Sequence, residues 1–163
     1  FGRGGEEMQE LASEGIPCEV VPGVTAAMGA ASSTGIPLTH RDHAQMVSFV
    51  TGHRKKDCDD LEWVRHLNPA STLVVYMGLG EAPRIAAELM AHGHAAETPV
   101  AAVASATTPQ QRVVTTTLGA LAQTLAGSGL ESPVLLIIGS VVTLHGDLYP
   151  LIEQAKRGMP EMA

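Results

Sequence analysis

Hydrophobic residues along the chain follow two patterns, one of short apolar runs and one with helical spacing. Short runs rich in Val, Ile and Leu are typical of buried strands. Such runs predict strands at residues 18–21, 46–50, 72–77, 100–104, 112–118 and 133–138. Apolar residues three and four positions apart predict helices at residues 6–13, 26–33, 61–67, 81–92, 118–125 and 144–152. Strands that alternate with helices predict an α/β sheet with helices on its faces.

The connections between these elements carry further signals. Two predicted strands between residues 100 and 118 follow each other with no helix between them, which predicts an antiparallel hairpin. Thr25 stands at the N-cap position of the helix at 26–33, and Gly35 ends it. The many alanines of that helix predict close packing against a sheet or a ligand. Residues 36–42 are polar and include a proline, which predicts a connection between two domains.

The composition indicates a folded and acidic protein. The chain is 45% hydrophobic and 17% charged, which is enough apolar surface for a sizeable core. Aromatic residues are only 3% of it, so the core is built from Ala, Val, Leu and Ile, and stacking on single-stranded nucleic acid is disfavoured. A net charge of -7 argues against nucleic-acid and anionic-membrane partners. A few clustered arginines are still able to bind a small anion.

The cysteines and histidines do not form a recognisable metal-binding pattern. Cys18 and Cys58 are not spaced as metal ligands, so we expect two free thiols in a reducing cytoplasm. The string from His40 to His43 looks like a metal cluster, but no Cys or second His pair stands at ligand spacing elsewhere. We therefore predict a hydrogen-bonded connection there and no metal site. No apolar run is long enough to cross a bilayer.

Four junctions between predicted elements consist of small or ligand-compatible residues, at 22–26, 76–78, 98–101 and 106–107. Ligands of open α/β sheets bind at the carboxyl ends of the strands, where small residues let them approach the backbone. The alternative is that Gly and Pro only form the turns. Met77 also has two interpretations, since a methionine beside Gly78 either fills a gap in the core or forms a soft wall for a ligand.

The opening segment, Gly-Arg-Gly-Gly-Glu at 2–6, is not a P-loop, because no Gly-Lys-Ser/Thr follows it. Arg3 presents a planar guanidinium that suits a carboxylate. The alternative is a surface arginine paired with Glu6 or Glu7. His53, at the end of a predicted strand, is either a site residue or a turn residue.

Taken together, these strings resemble the uroporphyrinogen-III C-methyltransferases of the tetrapyrrole methylase superfamily. The strings that carry the resemblance are FGRGGEE at 1–7, VVPGVTA at 20–26, GIPLTHRD at 35–42, FVTGH at 49–53, YMGL at 76–79 and TPVA at 98–101. They occur in the order of the family and extend to about Leu148. No single string is specific, but their combination is.

The resemblance implies a tetrapyrrole methylase fold of two α/β domains, with S-adenosylmethionine in the cleft between them, in a homodimer. By this reading, residues 1–38 are part of the N-terminal domain, 39–153 the C-terminal domain and 154–163 a tail. The implied reaction is two methyl transfers to ring carbons of uroporphyrinogen III, through precorrin-1 to precorrin-2, for sirohaem or cobalamin biosynthesis.

Site residues follow from the same resemblance, position by position. Arg3 and Glu6 match positions that face the tetrapyrrole, where Arg3 would hold the substrate or help to deprotonate it. Met77 would touch both the cofactor and the substrate. The implied cofactor-binding residues are Thr25, Ala26, Met77, Pro99, Val100, Ala101, Ala106 and Thr107, with the backbone of 99–101 along the adenosine.

The chain departs from the family at Ala106 and Thr116, where glycine is usual. A positive φ at Ala106 would be strained. Because the chain opens at Phe1, we interpret it as truncated, and we expect it to bind the cofactor weakly or not at all and not to turn over. Two alternatives stay open: another member of the superfamily that acts on a later precorrin or on rRNA, and a non-catalytic fragment that only dimerises. The acidic charge argues against RNA.

Overall fold

A computed structural model describes residues 4–52 and 61–158 of the chain. Its helices are α1 (Gly5–Ser13), α2 (Ala26–Thr34), α3 (Ala82–Ala91), α4 (Leu121–Ser128) and α5 (His145–Gly158). Its strands are β1 (Val47–Thr51), β2 (Thr72–Tyr76), β3 (Pro99–Ala104), β4 (Arg112–Thr117) and β5 (Val134–Ile138). Three 3₁₀ segments cover Glu62–His66, Leu118–Ala120 and Ser140–Leu144. The predicted elements from residue 26 onward are therefore confirmed, except that 61–67 forms a 3₁₀ segment rather than an α-helix.

The five strands form one mixed sheet in the order β1-β2-β5-β3-β4. β1 and β2 are parallel, whereas β5 is antiparallel to both of its neighbours, β2 and β3. β3 and β4 form the predicted antiparallel hairpin. Because β2 and β3 both run opposite to β5, they point the same way, and their carboxyl ends reach the same edge of the sheet.

Each face of the sheet has its own hydrophobic core. Residues that alternate along the strands point to opposite faces, as the pleat requires. One face packs against α3, α4 and the 3₁₀ segment at Glu62–His66 through side chains such as Ile85, Leu121 and Leu136. The other face packs against α2 and the 3₁₀ segment at Ser140–Leu144 through Ala101 and Ile137, among others. The sheet is thus covered on both sides by helical segments, as predicted for an α/β protein.

Helix α2 lies close to the sheet because it is built from small residues. Ala27 and Ala30 are fully buried, which confirms the predicted close packing. Gly35 ends the helix at a φ of 69°, and a Cβ there would lie 2.9 Å from the Cβ of Leu148 on α5. His145 donates a ring N–H to the carbonyl of Thr34 over 2.6 Å, which satisfies one of the carbonyls left unpaired at the helix end. The carboxyl end of α2 is therefore fixed against α5.

Residues 4–24 differ from the rest of the described chain because none of them is buried. Helix α1 has no buried residue. The predicted strand at 18–21 is wrong, since this segment has no regular structure, and Val20 and Val21 are 66% and 81% exposed. A strand needs a neighbour for its backbone hydrogen bonds, and in the described chain none lies beside this one.

Two features of the structure concern the predicted domain limits. Ile36 and Leu38, at 0% and 8% exposure, belong to the same core as the sheet, so the start of the 36–42 connection is packed rather than free. Helix α5 continues to Gly158, so the first residues of the predicted tail at 154–163 are helical. The division at residue 38 itself stays a prediction. In the described ranges, no helix has the length and apolar character needed to cross a membrane.

Candidate functional site

A cavity of about 1330 Å³ lies at the edge of the sheet where β2 and β3 end. Four segments line it: the start of α2, the turn that follows β2, the loop that follows β3, and the beginning of β5 with the residues before it. Apolar side chains such as Leu79 and Val134 alternate with hydroxyl groups and backbone in this lining. The cavity occupies the place where open α/β sheets bind ligands.

The amino end of α2 is held by a tyrosine of the sheet. Thr25 has the extended backbone of an N-cap residue, yet its hydroxyl makes no hydrogen bond to the helix backbone. It instead bonds the hydroxyl of Tyr76 over 2.5 Å, and that hydroxyl also accepts the N–H of Ala27 over 3.2 Å. Tyr76 thus provides the cap that was predicted for Thr25 and joins the last residue of β2 to α2.

Backbone strain is concentrated around this cavity. Within the described residues, three non-glycine positions have a left-handed φ: Met77 at 53°, Ser105 at 47° and Thr107 at 67°. All three line the cavity. Such conformations cost on the order of 1–3 kcal/mol each, and they cluster at functional sites in proteins. Ala106 is not among them, so the expected strain falls on its two neighbours rather than on Ala106 itself.

Met77 forms part of the cavity wall rather than of the core. Its side chain is 61% exposed, which decides between the two interpretations of this residue. The turn that presents it is tight because two glycines meet there. A Cβ on Gly52 would lie 2.8 Å from the Cα of Gly78, and a Cβ on Gly78 would lie 2.8 Å from a methyl of Val75. The tight turn that presents Met77 therefore depends on glycine at both positions.

The loop after β3 is connected to α2 through Gln111. The side-chain oxygen of Gln111 accepts the N–H of Thr107 over 2.7 Å, and its side-chain nitrogen lies 3.4 Å from the carbonyl of Ser33. The Thr107 methyl carbon lies 3.0 Å from the position that a Cβ on Gly29 would take. The loop and the helix are thus in direct contact along one side of the cavity.

Five of the predicted cofactor-binding residues line the cavity: Thr25, Ala26, Met77, Ala106 and Thr107. They come from three segments that are far apart in the sequence. This convergence supports the site predicted from the strand junctions at 22–26, 76–78 and 106–107.

Pro99, Val100 and Ala101, the other predicted cofactor-binding residues, do not line this cavity. These residues form the amino end of β3, whereas the cavity lies at its carboxyl end. Val100 and Ala101 are fully buried on opposite faces of the sheet. Pro99 lies beside a separate cleft of about 350 Å³ near Thr143 and His145. We therefore leave these three residues out of the candidate site.

Of the two predicted catalytic residues, Arg3 and Glu6, only Glu6 belongs to the described residues. Arg3 lies outside the described residues, as does His53. Glu6 is exposed in the first turn of α1 and is absent from the cavity lining. The roles of Arg3 and Glu6 stay predictions.

The histidine string at 40–43 is joined by hydrogen bonds, as predicted. The Nδ1 atom of His40 accepts the N–H of Asp42 over 3.1 Å, and His40 and Ala44 pair through their backbones. Over residues 4–52 and 61–158, no three His, Cys, Asp or Glu side chains are grouped so as to hold a metal ion.

Sequence reasoning missed Tyr76, Gln111 and Glu81. The sequence places Tyr76 in the junction at 76–78. An aromatic hydroxyl at the end of an apolar strand is a signal for a polar contact there. Glu81, at the start of α3, is the one charged residue among the described residues of the lining. Its Oε2 atom lies 4.0 Å from a guanidinium nitrogen of Arg84. The cavity is otherwise neutral, which suits a ligand held by apolar contact and by hydroxyl and backbone groups.

Comparison with known proteins shows the family of the chain. The family model for Tetrapyrrole (Corrin/Porphyrin) Methylases matches residues 1–122. Among curated proteins, the siroheme synthase of Stutzerimonas stutzeri is 57% identical over 148 residues, which are 91% of this chain and 32% of that protein. The siroheme synthase of Azotobacter vinelandii is 56% identical over the same shares of the two chains. The chain spans about a third of the length of these curated relatives.

Solved structures show the same relationship. The uroporphyrin-III C-methyl transferase of Thermus thermophilus, complexed with S-adenyl homocysteine, superimposes with a TM-score of 0.76 at 37% identity. The alignment covers 88% of this chain and 62% of that one. The predicted fold class is thereby confirmed, and the chain belongs to the tetrapyrrole (corrin/porphyrin) methylases.

Proposed function

We propose that this chain is part of an S-adenosylmethionine-dependent methyltransferase that acts on ring carbons of uroporphyrinogen III. The reaction consists of two methyl transfers, through precorrin-1 to precorrin-2. Two kinds of relative support it: siroheme synthases at 57% and 56% identity, and a uroporphyrin-III C-methyl transferase of the same fold. The names of the curated relatives favour sirohaem as the end product.

The cofactor site in this proposal is the cavity at the carboxyl edge of the sheet. The observation that carries it is the convergence of Thr25, Ala26, Met77, Ala106 and Thr107 around a single space. The space exceeds the roughly 300–1,000 Å³ of ordinary small-molecule pockets, so it has room for a nucleoside-sized ligand and the edge of a second molecule. Apart from Glu81 the described lining is neutral, which suits the adenosine part of the cofactor, and its hydroxyl and backbone groups suit the ribose.

S-adenosylmethionine supplies an electrophilic methyl group when bound. The residues of this chain then have to align the two reactants and exclude water, since a displacement of this kind depends on geometry more than on a strong protein nucleophile. Met77 is suited to this task, because its strained backbone fixes an apolar side chain at the open side of the cavity. Tyr76 is suited to hold Thr25 and the start of α2 in position.

A proton has to leave the substrate at some stage, so a base or an assisted water is needed. Arg3 and Glu6 are our candidates for substrate contact and proton transfer, on the basis of the family resemblance. Uroporphyrinogen carries carboxylates around its rim, and a guanidinium is the group that pairs best with them. This role is compatible with the acidic charge of the whole chain, because it needs only local arginines.

We further propose that the whole enzyme works as a homodimer in the cytoplasm and that the 163-residue chain alone binds its cofactor weakly and does not turn over. Support for weak binding comes from the exposed apolar residues next to the site. Val24, which lines the cavity, is 86% exposed, and none of the described residues before it is buried.

Binding is tested by titrating the 15N-labelled chain with S-adenosylhomocysteine and following its amide signals, a method that detects millimolar affinity. We expect shift changes at Thr25, Met77 and Ala106, and a weaker response in Met77→Ala. The matched control is Met46→Ala, since Met46 is 52% exposed but lies away from the cavity. Changes confined to residues outside the lining would contradict the proposed site.

Activity is tested in a full-length relative. The 148 matching residues of the Stutzerimonas stutzeri siroheme synthase are replaced by those of this chain, and the hybrid is assayed with uroporphyrinogen III and methyl-labelled cofactor. We expect label in the macrocycle. A hybrid that is folded, binds the cofactor and labels only a later precorrin or an RNA would move the function to another branch of the superfamily.

A further inference from the structure

The loop after β3 and helix α2 both line the cavity, and one side chain bonds the loop and the last turn of the helix. Residues 105–108 of the loop line the cavity, as do Thr25, Ala26 and Gly29 of the helix side. Gln111 is not part of the lining; its side-chain amide bonds Thr107 in the loop and the carbonyl of Ser33, which belongs to the last turn of α2 outside the lining. We propose that Gln111 is a positioning residue that sets the distance between the loop and α2, and through it the shape of the cofactor site. This proposal rests on the proposed function.

The orientation of the Gln111 amide is determined by its two partners. The backbone N–H of Thr107 is a donor, so it requires the side-chain oxygen, which it meets at 2.7 Å. The carbonyl of Ser33 is an acceptor, so it requires the side-chain nitrogen, which lies 3.4 Å away. Only one orientation of the amide satisfies both groups, and only an uncharged amide offers a donor and an acceptor at this length.

The bond to Thr107 supports a conformation that the loop does not favour by itself. Threonine is β-branched, and a φ of 67° is unfavourable for such a residue. Ser105, two residues earlier, has a φ of 47°. Hydrogen bonds within the loop hold the rest of it. In one of them, the N–H of Thr108 donates to the carbonyl of Ser105 over 3.2 Å. Gln111 adds a connection from the loop to the helix.

The position of Thr107 matters because its methyl group touches the helix. The methyl carbon lies 3.0 Å from the place of a Cβ on Gly29, so the two walls meet with no space to spare. If the amide is removed, Thr107 is able to bond water instead, since it is exposed. The loss to global stability is then small, whereas the loop spends less time in the binding shape, and the apparent affinity falls in proportion.

Two variants of Gln111 separate its two bonds. Gln111→Met keeps the length of the side chain and removes both. Gln111→Glu keeps an oxygen for Thr107 but places a second, charged oxygen against the carbonyl of Ser33. Gln123→Met is the matched control, because Gln123 is an exposed residue of α4 far from the lining.

The first measurement is independent of any ligand. Hydrogen exchange of the Thr107 amide and the nuclear Overhauser effect between its methyl group and Gly29 are recorded for each form of the 15N,13C-labelled chain. We expect faster exchange and loss of the Overhauser effect in Gln111→Met, retained protection in Gln111→Glu, and no change in Gln123→Met. Unchanged exchange and an unchanged Overhauser effect in Gln111→Met would overturn the proposal.

The second measurement is the dissociation constant for S-adenosylhomocysteine, with the thermal midpoint as the test of a merely structural role. In Gln111→Met we expect the dissociation constant to rise roughly three- to tenfold, with a thermal midpoint within about 2 °C of the parent chain. The dissociation constant of Gln111→Glu should lie between those of the parent chain and Gln111→Met. Equal affinities in all forms would overturn the proposal and leave the proposed function intact. If the parent chain does not bind the probe, the same affinity comparison is made in the hybrid siroheme synthase described above, while the exchange and Overhauser measurements on the chain itself still decide whether Gln111 holds the loop.

Discussion

The two ends of β3 are built in opposite ways. At the amino end, Val100 and Ala101 are fully buried, and the carbonyls of Thr98 and Pro99 accept the N–H groups of Leu118 and Gly139 over 2.8 and 2.9 Å. At the carboxyl end, the chain leaves the sheet into a strained, partly exposed loop that lines the cavity. One strand thus joins a region optimised for packing to a region shaped for a ligand. Substitutions at the amino end should change stability, and those at the carboxyl end should change binding.

The largest expected effect lies beside the amino end. Ile138 is 1% exposed and pairs in register with Val100. Ile138→Ala should lower the free energy of unfolding by about 2–5 kcal/mol, because it removes buried methyl groups and leaves a cavity in the core. Urea denaturation followed by circular dichroism measures this. Val21→Ala is the control: Val21 is 81% exposed, so its change should stay within about 0.5 kcal/mol. Equal losses of unfolding free energy in the two variants would mean that Ile138 is not part of a tightly packed region at the amino end of β3.

The second effect lies at the carboxyl end and concerns binding. Ala106→Leu places a larger side chain in the cavity, so the dissociation constant for S-adenosylhomocysteine should rise at least about tenfold, equivalent to about 1.4 kcal/mol. The free energy of unfolding should change little, since Ala106 is only partly buried. Ala95→Leu, at an exposed site before the amino end of β3, is the control and should bind as the parent does. A variant that loses stability rather than affinity would show that Ala106 belongs to the core.

The sequence predicts the strands of this region but not which end of β3 lies beside the cavity. The apolar runs predicted β3 and β5 because buried strands are marked by local composition. They could not predict which end of β3 meets a ligand, since that depends on the order and direction of strands in the sheet. Residues at both ends, Pro99 and Ala106, were therefore assigned to one site, and only the second lies in the cavity.

The sequence does not indicate the roles of Tyr76 and Gln111 for a similar physical reason. Tyr76 contacts α2 across 49 residues of sequence, and Gln111 contacts it across 78. Such long-range contacts leave no periodic signal in a single sequence. The strand predicted at 18–21 failed for a related reason, because an apolar run becomes a strand only beside a neighbour.

The third effect is a pH dependence that belongs to the amino-end region. His94 precedes β3, is 6% exposed, and has no hydrogen-bond partner for either ring nitrogen among the described residues. Burial lowers its pKa below the ordinary 6.5. The folded state therefore stays neutral where the unfolded chain takes up a proton. Stability should be fully present above about pH 6.5 and decline as the pH falls, by at most about 1.4 kcal/mol per pH unit.

Denaturation at several pH values between 7 and 5 tests this assignment. His94→Phe should flatten the decline, because the buried group no longer takes up a proton on unfolding. His66→Phe, at an exposed position, should leave the slope as it is. If the slope survives in His94→Phe, the acid sensitivity comes from another group.

The smallest effect returns to the strained loop. Ser105 has a φ of 47°, and its hydroxyl makes no hydrogen bond within residues 4–52 and 61–158, while its carbonyl accepts the N–H of Thr108. Asparagine tolerates a left-handed backbone better than serine, and a β-branched residue tolerates it worse. Ser105→Asn should therefore raise the free energy of unfolding by up to about 0.5 kcal/mol, whereas Ser105→Val should lower it by about 1 kcal/mol. Calorimetry of the two variants beside the parent chain gives the sign of each change. The opposite order would mean that the packing of the Ser105 side chain, rather than its backbone, sets the stability of this end of β3.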